Sequence, residues 1–83
     1  MSVNLVVPSL GTEVTEGIVV EWLKNVGEMV GEGEPVVVIG TPKLNLEVEA
    51  PVTGVLSEAI AGVDEVVEVG AVLGIIDEGG AGA

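Results

Sequence analysis

Lys24 and Lys43 are the two side-chain amines of a chain that has no histidine and no cysteine. The missing imidazole and thiol remove the usual general base, the thiol nucleophile, the disulfide framework and the ordinary zinc site. Ser2, Ser9 and Ser57 therefore have no base to activate them. Asp64 and Glu65 lack the alternating spacing and turn glycine of a calcium loop, and read as solvated surface. Gly31-Glu32-Gly33-Glu34 does not lead into a helix, so it is a turn and not a phosphate cradle. A lysine in such a chain can be a solubilising turn residue or an edge-protecting charge, or a covalent attachment point for a carrier group. Such a role asks for an exposed lysine on a rigid support, where other proteins can reach it.

Charge and hydrophobicity bound the partners. Fourteen acidic residues against two basic ones give a formal net charge of −12. A surface that negative excludes nucleic acid and anionic membrane, which both need basic groups to displace counterions, and favours basic docking surfaces. The apolar share of 48% separates the chain from disordered acidic sequences. Its longest apolar run, Val36 to Ile39, is too short to span a bilayer, and no basic segment precedes an apolar one at the N-terminus. The absence of cysteine fits a reducing compartment.

The elements that must position the lysines are strands. Thirteen glycines and four prolines cut the chain into short segments, and valine dominates them. Val3–Val7 is a strand stopped by Pro8. Ile18, Val20 and Trp22 alternate with Val19, Glu21 and Leu23, which predicts a strand with Trp22 inward beside Ile18 and Val20, and with Lys24 at its end. Val36–Ile39 reads as a strand buried on both faces. Leu44, Leu46 and Val48 alternate with Asn45, Glu47 and Glu49, a half-buried strand halted at Ala50-Pro51. Val55–Ile60 and Val72–Ile76 complete the set. No window sustains a helical period, so the class is all-β.

The sequence also repeats. A slide of 37 residues superposes Gly17 on Gly54, Glu21 on Glu58, Val26 on Val63, Glu28 on Glu65, Val30 on Val67 and Gly33 on Gly70, without a gap. Two copies of one β unit, each too small to cover its own apolar face, must pack on each other. The expected architecture is a flattened barrel-like sandwich of two similar four-stranded sheets related by a pseudo-twofold axis. Between the halves lies Gly40-Thr41-Pro42-Lys43. Proline suits the second position of a type I turn, which places Lys43 third, at the tip of a hairpin at one end of the sandwich.

At this point the chain resembles the lipoyl domains of 2-oxo acid dehydrogenase acyltransferase components, within the biotinyl/lipoyl carrier family. Val7-Pro8-Ser9-Leu10-Gly11 followed by Val14-Thr15-Glu16-Gly17 is similar to the opening of those domains. Val20-Glu21-Trp22-Leu23-Lys24, Val26-Gly27-Glu28 and Gly33-Glu34-Pro35 follow in the family's order. Thr41-Pro42-Lys43, with Glu47-Val48-Glu49-Ala50-Pro51 and Gly54-Val55-Leu56, looks like the modification hairpin and its return strand. Gly70-Ala71-Val72-Leu73-Gly74 resembles the closing strand, so the likeness runs over residues 3–78.

The resemblance implies covalent lipoyl attachment at Lys43, within a turn formed by Thr41, Pro42 and Leu44. Gly27 matches the family's glycine sixteen residues before the lysine and is implied as a contact for the lipoylating enzyme. The family's turn is Glu-Thr-Asp-Lys; Thr41 and Lys43 match it, whereas Gly40 and Pro42 do not. Gly40 stands where the family has an acidic residue linked to recognition by that enzyme. The Met-Lys-Met turn of biotinyl domains fits no better, with Pro42 and Leu44 about the lysine.

The role implied is that of a non-catalytic carrier. A thiamine-diphosphate-dependent 2-oxo acid decarboxylase would reductively acylate the lipoyl group, and an acyltransferase catalytic domain would pass the acyl group to coenzyme A. A flavin-containing dihydrolipoyl dehydrogenase would reoxidise the dithiol, and a lipoate ligase or lipoyl transferase would install the group. A biotin carrier domain, with biotin on Lys43, and an unmodified interaction module of the same fold stand as alternatives. The expected domain is residues 1–78, with Gly79–Ala83 beginning a flexible linker to further domains of a dihydrolipoamide acyltransferase. The expected location is cytoplasmic in a bacterium, or the mitochondrial matrix in a eukaryote.

Overall fold

A computed structural model of the chain describes residues 2–11 and 13–78. The expected linker, residues 79–83, lies outside them. Eight strands make up its regular structure: β1 (Ser2–Val6), β2 (Glu16–Trp22), β3 (Met29–Val30), β4 (Pro35–Gly40), β5 (Asn45–Glu49), β6 (Gly54–Ala59), β7 (Val66–Glu68) and β8 (Val72–Asp77). They form two antiparallel four-stranded sheets, ordered β1-β8-β6-β3 and β5-β4-β2-β7. The all-β sandwich expected from the sequence is the fold observed.

The repeat holds bond by bond. In β2 and β4, Val19 faces Ile39 and Trp22 faces Val37; in β6 and β8, Leu56 faces Ile76 and Ala59 faces Gly74, 37 residues on. Both pairs carry a register shift at the same place, Val19/Glu21 and Leu56/Glu58. The N–H groups of Gly27 and Asp64 donate to the carbonyls of Leu56 and Val19, each at 2.7 Å. Strands β1 and β5 join the symmetry at a spacing of 43 residues: Leu5 faces Gly74 as Val48 faces Val37. The larger spacing reflects a longer connection between β1 and β2 than between β5 and β6.

Strands β3 and β7, too short to read from an alternating pattern, are what lock the halves together. Each crosses to pair with a strand of the other half, β3 onto β6 and β7 onto β2, as β1 and β5 do onto β8 and β4, so each sheet takes two strands from each half. Neither half can then bury its apolar face without the other. The shared core follows the symmetry, with Val19 and Leu56, Val36 and Leu73, and Ile39 and Ile76 all fully buried. Each such side chain contributes about 1.5–3 kcal/mol relative to remaining in water. Gly17 and Gly54 are required by this closeness: a Cβ on Gly17 would lie 2.6 Å from Ile39 Cγ2, and one on Gly54 2.6 Å from the Asp77 carbonyl oxygen.

Two local expectations change. Val19, and not Ile18 or Val20, is the inward residue of β2; Ile18 and Val20 are 45% and 41% exposed. The bulge between Val19 and Glu21 then shifts the alternation by one, which brings Trp22 back onto the core. Its indole N–H donates to the Ala61 carbonyl at 2.8 Å. The strand closes at Trp22, so Lys24 lies beyond its end and not at it. The buried run Val36-Val37 has the same kind of cause as the Trp22 correction. A register shift between Pro35 and Val37 lets consecutive side chains be buried.

Candidate functional site

The hairpin between β4 and β5 carries the candidate lysine. Gly40 pairs with Asn45, leaving Thr41, Pro42, Lys43 and Leu44 to make the turn. The Thr41 N–H donates to the Leu44 carbonyl at 2.8 Å. A type I turn would return the Leu44 N–H to the Thr41 carbonyl; here it goes to Thr41 Oγ1 at 3.1 Å. The same hydroxyl donates to the Leu44 carbonyl at 2.7 Å. One threonine side chain thus closes the loop from both directions, and the fixed φ of Pro42 stiffens it further. Leu44, read as the first strand residue, belongs to this turn and is exposed.

Lys43 sits at the tip, exposed, with no hydrogen-bond or ion-pair partner among the described residues. Lys24 differs. Its Nζ is 3.2 Å from Glu34 Oε2, and its side chain is only 24% exposed. Glu34 is itself anchored by the Gly31 N–H, which donates to Oε1 at 2.8 Å. That backbone bond first, and the Lys24 ammonium second, hold the Glu34 carboxyl below its ordinary range. Of the two side-chain amines, one braces a loop and the other projects unpaired from a rigid support.

Thr41, Pro42, Lys43 and Leu44 are brought together by the turn. Gly27 is not brought to them. Strand β2 has its Ile18 end beside Gly40 and its Trp22 end beside Val37, and Gly27 follows the Trp22 end, bonded to Leu56 of the other sheet. Its φ of +96° is the left-handed geometry that glycine adopts without strain, and a Cβ there would meet nothing within 4 Å. Gly40 has a packing reason for its identity. A Cβ on it would stand 2.8 Å from Val20 Cγ2 and 3.2 Å from Asn45 Oδ1.

Two open grooves flank the hairpin. One, about 470 Å³, lies against the loop between β1 and β2 and is lined by Leu10, Val14, Lys43 and Leu44. The other, about 490 Å³, runs over the outer face of the second sheet and is lined by Ile18, Val20, Gly40, Pro42 and Val66. The second groove was hidden in the sequence because Ile18 and Val20 read as core. Among the described residues there is no cluster of carboxylates fit to hold a metal ion. The exposed, unpartnered Lys43 amine fits a group attached through an amide bond, since neither burial nor an ion pair has to be undone.

Comparison with known proteins agrees with this geometry. Residues 3–76 match the biotin/lipoyl family, described as biotin-requiring enzyme. The dihydrolipoyllysine-residue succinyltransferase component of the 2-oxoglutarate dehydrogenase complex of Staphylococcus saprophyticus is 44% identical over 73 residues, 88% of this chain and 17% of the relative. The dihydrolipoyllysine-residue acetyltransferase component of the pyruvate dehydrogenase complex of Corynebacterium glutamicum is 41% identical over 78 residues, 94% of this chain and 12% of the relative. The chain thus spans less than a fifth of either relative. Urea carboxylase of Kluyveromyces lactis shares the fold, with a TM-score of 0.80 at 21% identity over 93% of this chain and 6% of its own. The solution structure of the lipoyl domain of the 2-oxoglutarate dehydrogenase complex from Azotobacter vinelandii superposes with a TM-score of 0.74 at 34% identity, covering 93% of this chain and 98% of that domain. With 98% of a lipoyl domain covered, and the lysine hairpin formed between two halves of matching register, the chain belongs to the biotinyl/lipoyl carrier family as a lipoyl domain.

Proposed function

We propose that the chain is a swinging-arm carrier whose lipoyl group is joined by an amide bond to Lys43. The observation that carries the reading is the contrast between the two amines: Lys24 is paired with Glu34, whereas Lys43 stands unpaired on a tip closed by the Thr41 hydroxyl. When bound, lipoate supplies a disulfide ring that takes up and releases an acyl group with an electron pair. The chain's own residues do the mechanical part. Thr41 and Pro42 keep the tip in one shape, so that an enzyme reading the turn meets a preorganised backbone. The acidic surface steers the domain toward basic docking sites, and tethering holds the carried group near its targets at effective concentrations in the mM range for short flexible linkers. The domain transports and does not catalyse.

The names of the relatives support a parent that is an acyltransferase component of a 2-oxo acid dehydrogenase complex. The proposed partners are then a thiamine-diphosphate-dependent 2-oxo acid decarboxylase, the acyltransferase catalytic domain and dihydrolipoyl dehydrogenase. A lipoate ligase or lipoyl transferase loads the lysine. Thr41, Pro42 and Leu44 shape the loading site, and Gly27 is proposed as a more distant contact for the loading enzyme. The test is co-expression with a lipoate ligase, followed by mass measurement of the peptide containing Lys43. A lipoyl increment that disappears in Lys43→Arg is the expected result. A biotin increment would assign the chain to the biotinyl branch, and an unmodified lysine would leave the fold without the carrier role.

A further inference from the structure

The pseudo-twofold axis presents the same outer surface twice, once beside the attachment hairpin and once at the far end of the other sheet. The two copies differ in chemistry. Beside the hairpin stand Ile18, Val20, Gly40 and Val66; the positions 37 residues away, or back across the repeat, hold Val55, Ser57, Asp77 and Met29. Val20 replaces a serine and Gly40 an aspartate. The fold itself does not demand an apolar groove at this place, since its twin is made with two polar residues. Ile18, Val20 and Val66 nevertheless leave 45%, 41% and 54% of their surface in water. Gly40, by having no side chain, keeps the floor of the groove open between Val20 and Pro42.

We propose that this groove is the resting place of the apolar part of the arm on Lys43, the ring and methylenes of the lipoyl group. The inference rests on the carrier reading above and adds a site to it. Pro42, the near wall of the groove, is the residue next to Lys43. Val66, on β7, is two strand spacings from Gly40, about 10 Å across the sheet. A flexible aliphatic arm rooted at Lys43 folds back over that span. The charge of the lysine is removed by amide formation, so the arm brings no cation into the groove. Because the arm is tethered, a weak apolar contact is enough to populate the docked state, and a partner's active site draws it out at small cost. The neighbouring groove at Leu10 and Val14 is the competing location, and the experiment separates the two.

The test uses the lipoylated and unmodified forms of the 83-residue chain, each verified by mass, with isotope-labelled isoleucine, valine, leucine and methionine methyls. The expected result is that lipoylation shifts the methyl signals of Ile18, Val20 and Val66 and gives nuclear Overhauser contacts to arm methylenes. Val55 and Met29, at the twin surface, stay unchanged. After reduction with a phosphine, the dithiol of Val20→Ser should be alkylated by iodoacetamide several-fold faster than that of the parent chain. The pair Val20→Ser with Gly40→Asp, which copies Ser57 and Asp77, should be faster still. Failure to find the lipoyl increment on Lys43 overturns both the carrier reading and this site. A lipoylated chain whose groove methyls do not move, or whose contacts fall on Leu10 and Val14 instead, overturns the site alone. Equal alkylation rates in parent and variants do the same.

Discussion

Val20 Cγ2 occupies the space that a side chain on Gly40 would need, 2.8 Å from where its Cβ would stand. At the symmetry-related position the roles are reversed, with Ser57 small and Asp77 large. A glycine at position 40 is thereby coupled to a valine on the neighbouring strand. Introducing an acid, Gly40→Glu, should cost about 1–3 kcal/mol from overpacking. Adding Val20→Ser should recover most of that loss. Urea unfolding of the two variants checks the coupling. Equal stabilities would show that Val20 gives way freely.

Thr41 closes the turn with both its hydroxyl proton and its oxygen lone pair. Thr41→Val keeps the shape and removes both bonds, so it should lower stability by about 1–2 kcal/mol and accelerate exchange of the Leu44 amide. Thr41→Ser should retain the protection. Hydrogen exchange at Leu44, followed in the two variants, reads the effect directly.

Glu34 gives the loop around Gly31 a pH dependence. Its carboxyl is held below the ordinary value of 4.5, chiefly by the Gly31 N–H and then by Lys24. A depressed folded pKa means stability that is complete above the unfolded value and lost as pH falls through the folded one. The stability difference between the parent chain and Glu34→Gln should therefore be constant near neutrality and shrink on acidification below 4.5. Paired thermal melts across that range provide the measurement. A difference that grew with acid would reverse the sign.

Asp64 and Gly27 occupy equivalent turns with φ of +72° and +96°. Only glycine takes that conformation without steric cost. Asp64→Gly should raise stability by up to about 1 kcal/mol, and Gly27→Asp should lower it by a similar amount. Denaturation midpoints test both. For Gly27→Asp, a lipoylation rate reduced beyond what its folded fraction explains is the outcome expected if this glycine also contacts the loading enzyme.

Much of the fold was legible because strands that face one core alternate visibly. The run from Leu44 to Glu49 and the gapless repeat carried the class, the two halves and the position of the hairpin. Strands β3 and β7 leave no such pattern, since two or three residues are too few to show a period. Trp22 reaches the core, but not on the face that its alternation with Ile18 and Val20 predicts. A bulge that no residue type announces reverses the alternation between Val19 and Glu21, so the parity taken from Trp22 misassigned Ile18 and Val20.

The sequence by itself determined that imidazole and thiol chemistry are absent, that the chain is a doubled β unit, and that Lys43 stands at the joint between its halves. Composition and local turn preference suffice for those statements, because they depend on neighbours along the chain. The tertiary structure decided which amine is engaged and which is not, by setting Glu34 beside Lys24 and leaving Lys43 without a hydrogen-bond or ion-pair partner among the described residues. It also decided that Val20 faces water and shapes Gly40, and that an apolar groove opens at the attachment turn. Those outcomes turn on the register between strands far apart in sequence, where a shift of one residue exchanges the buried face for the exposed one.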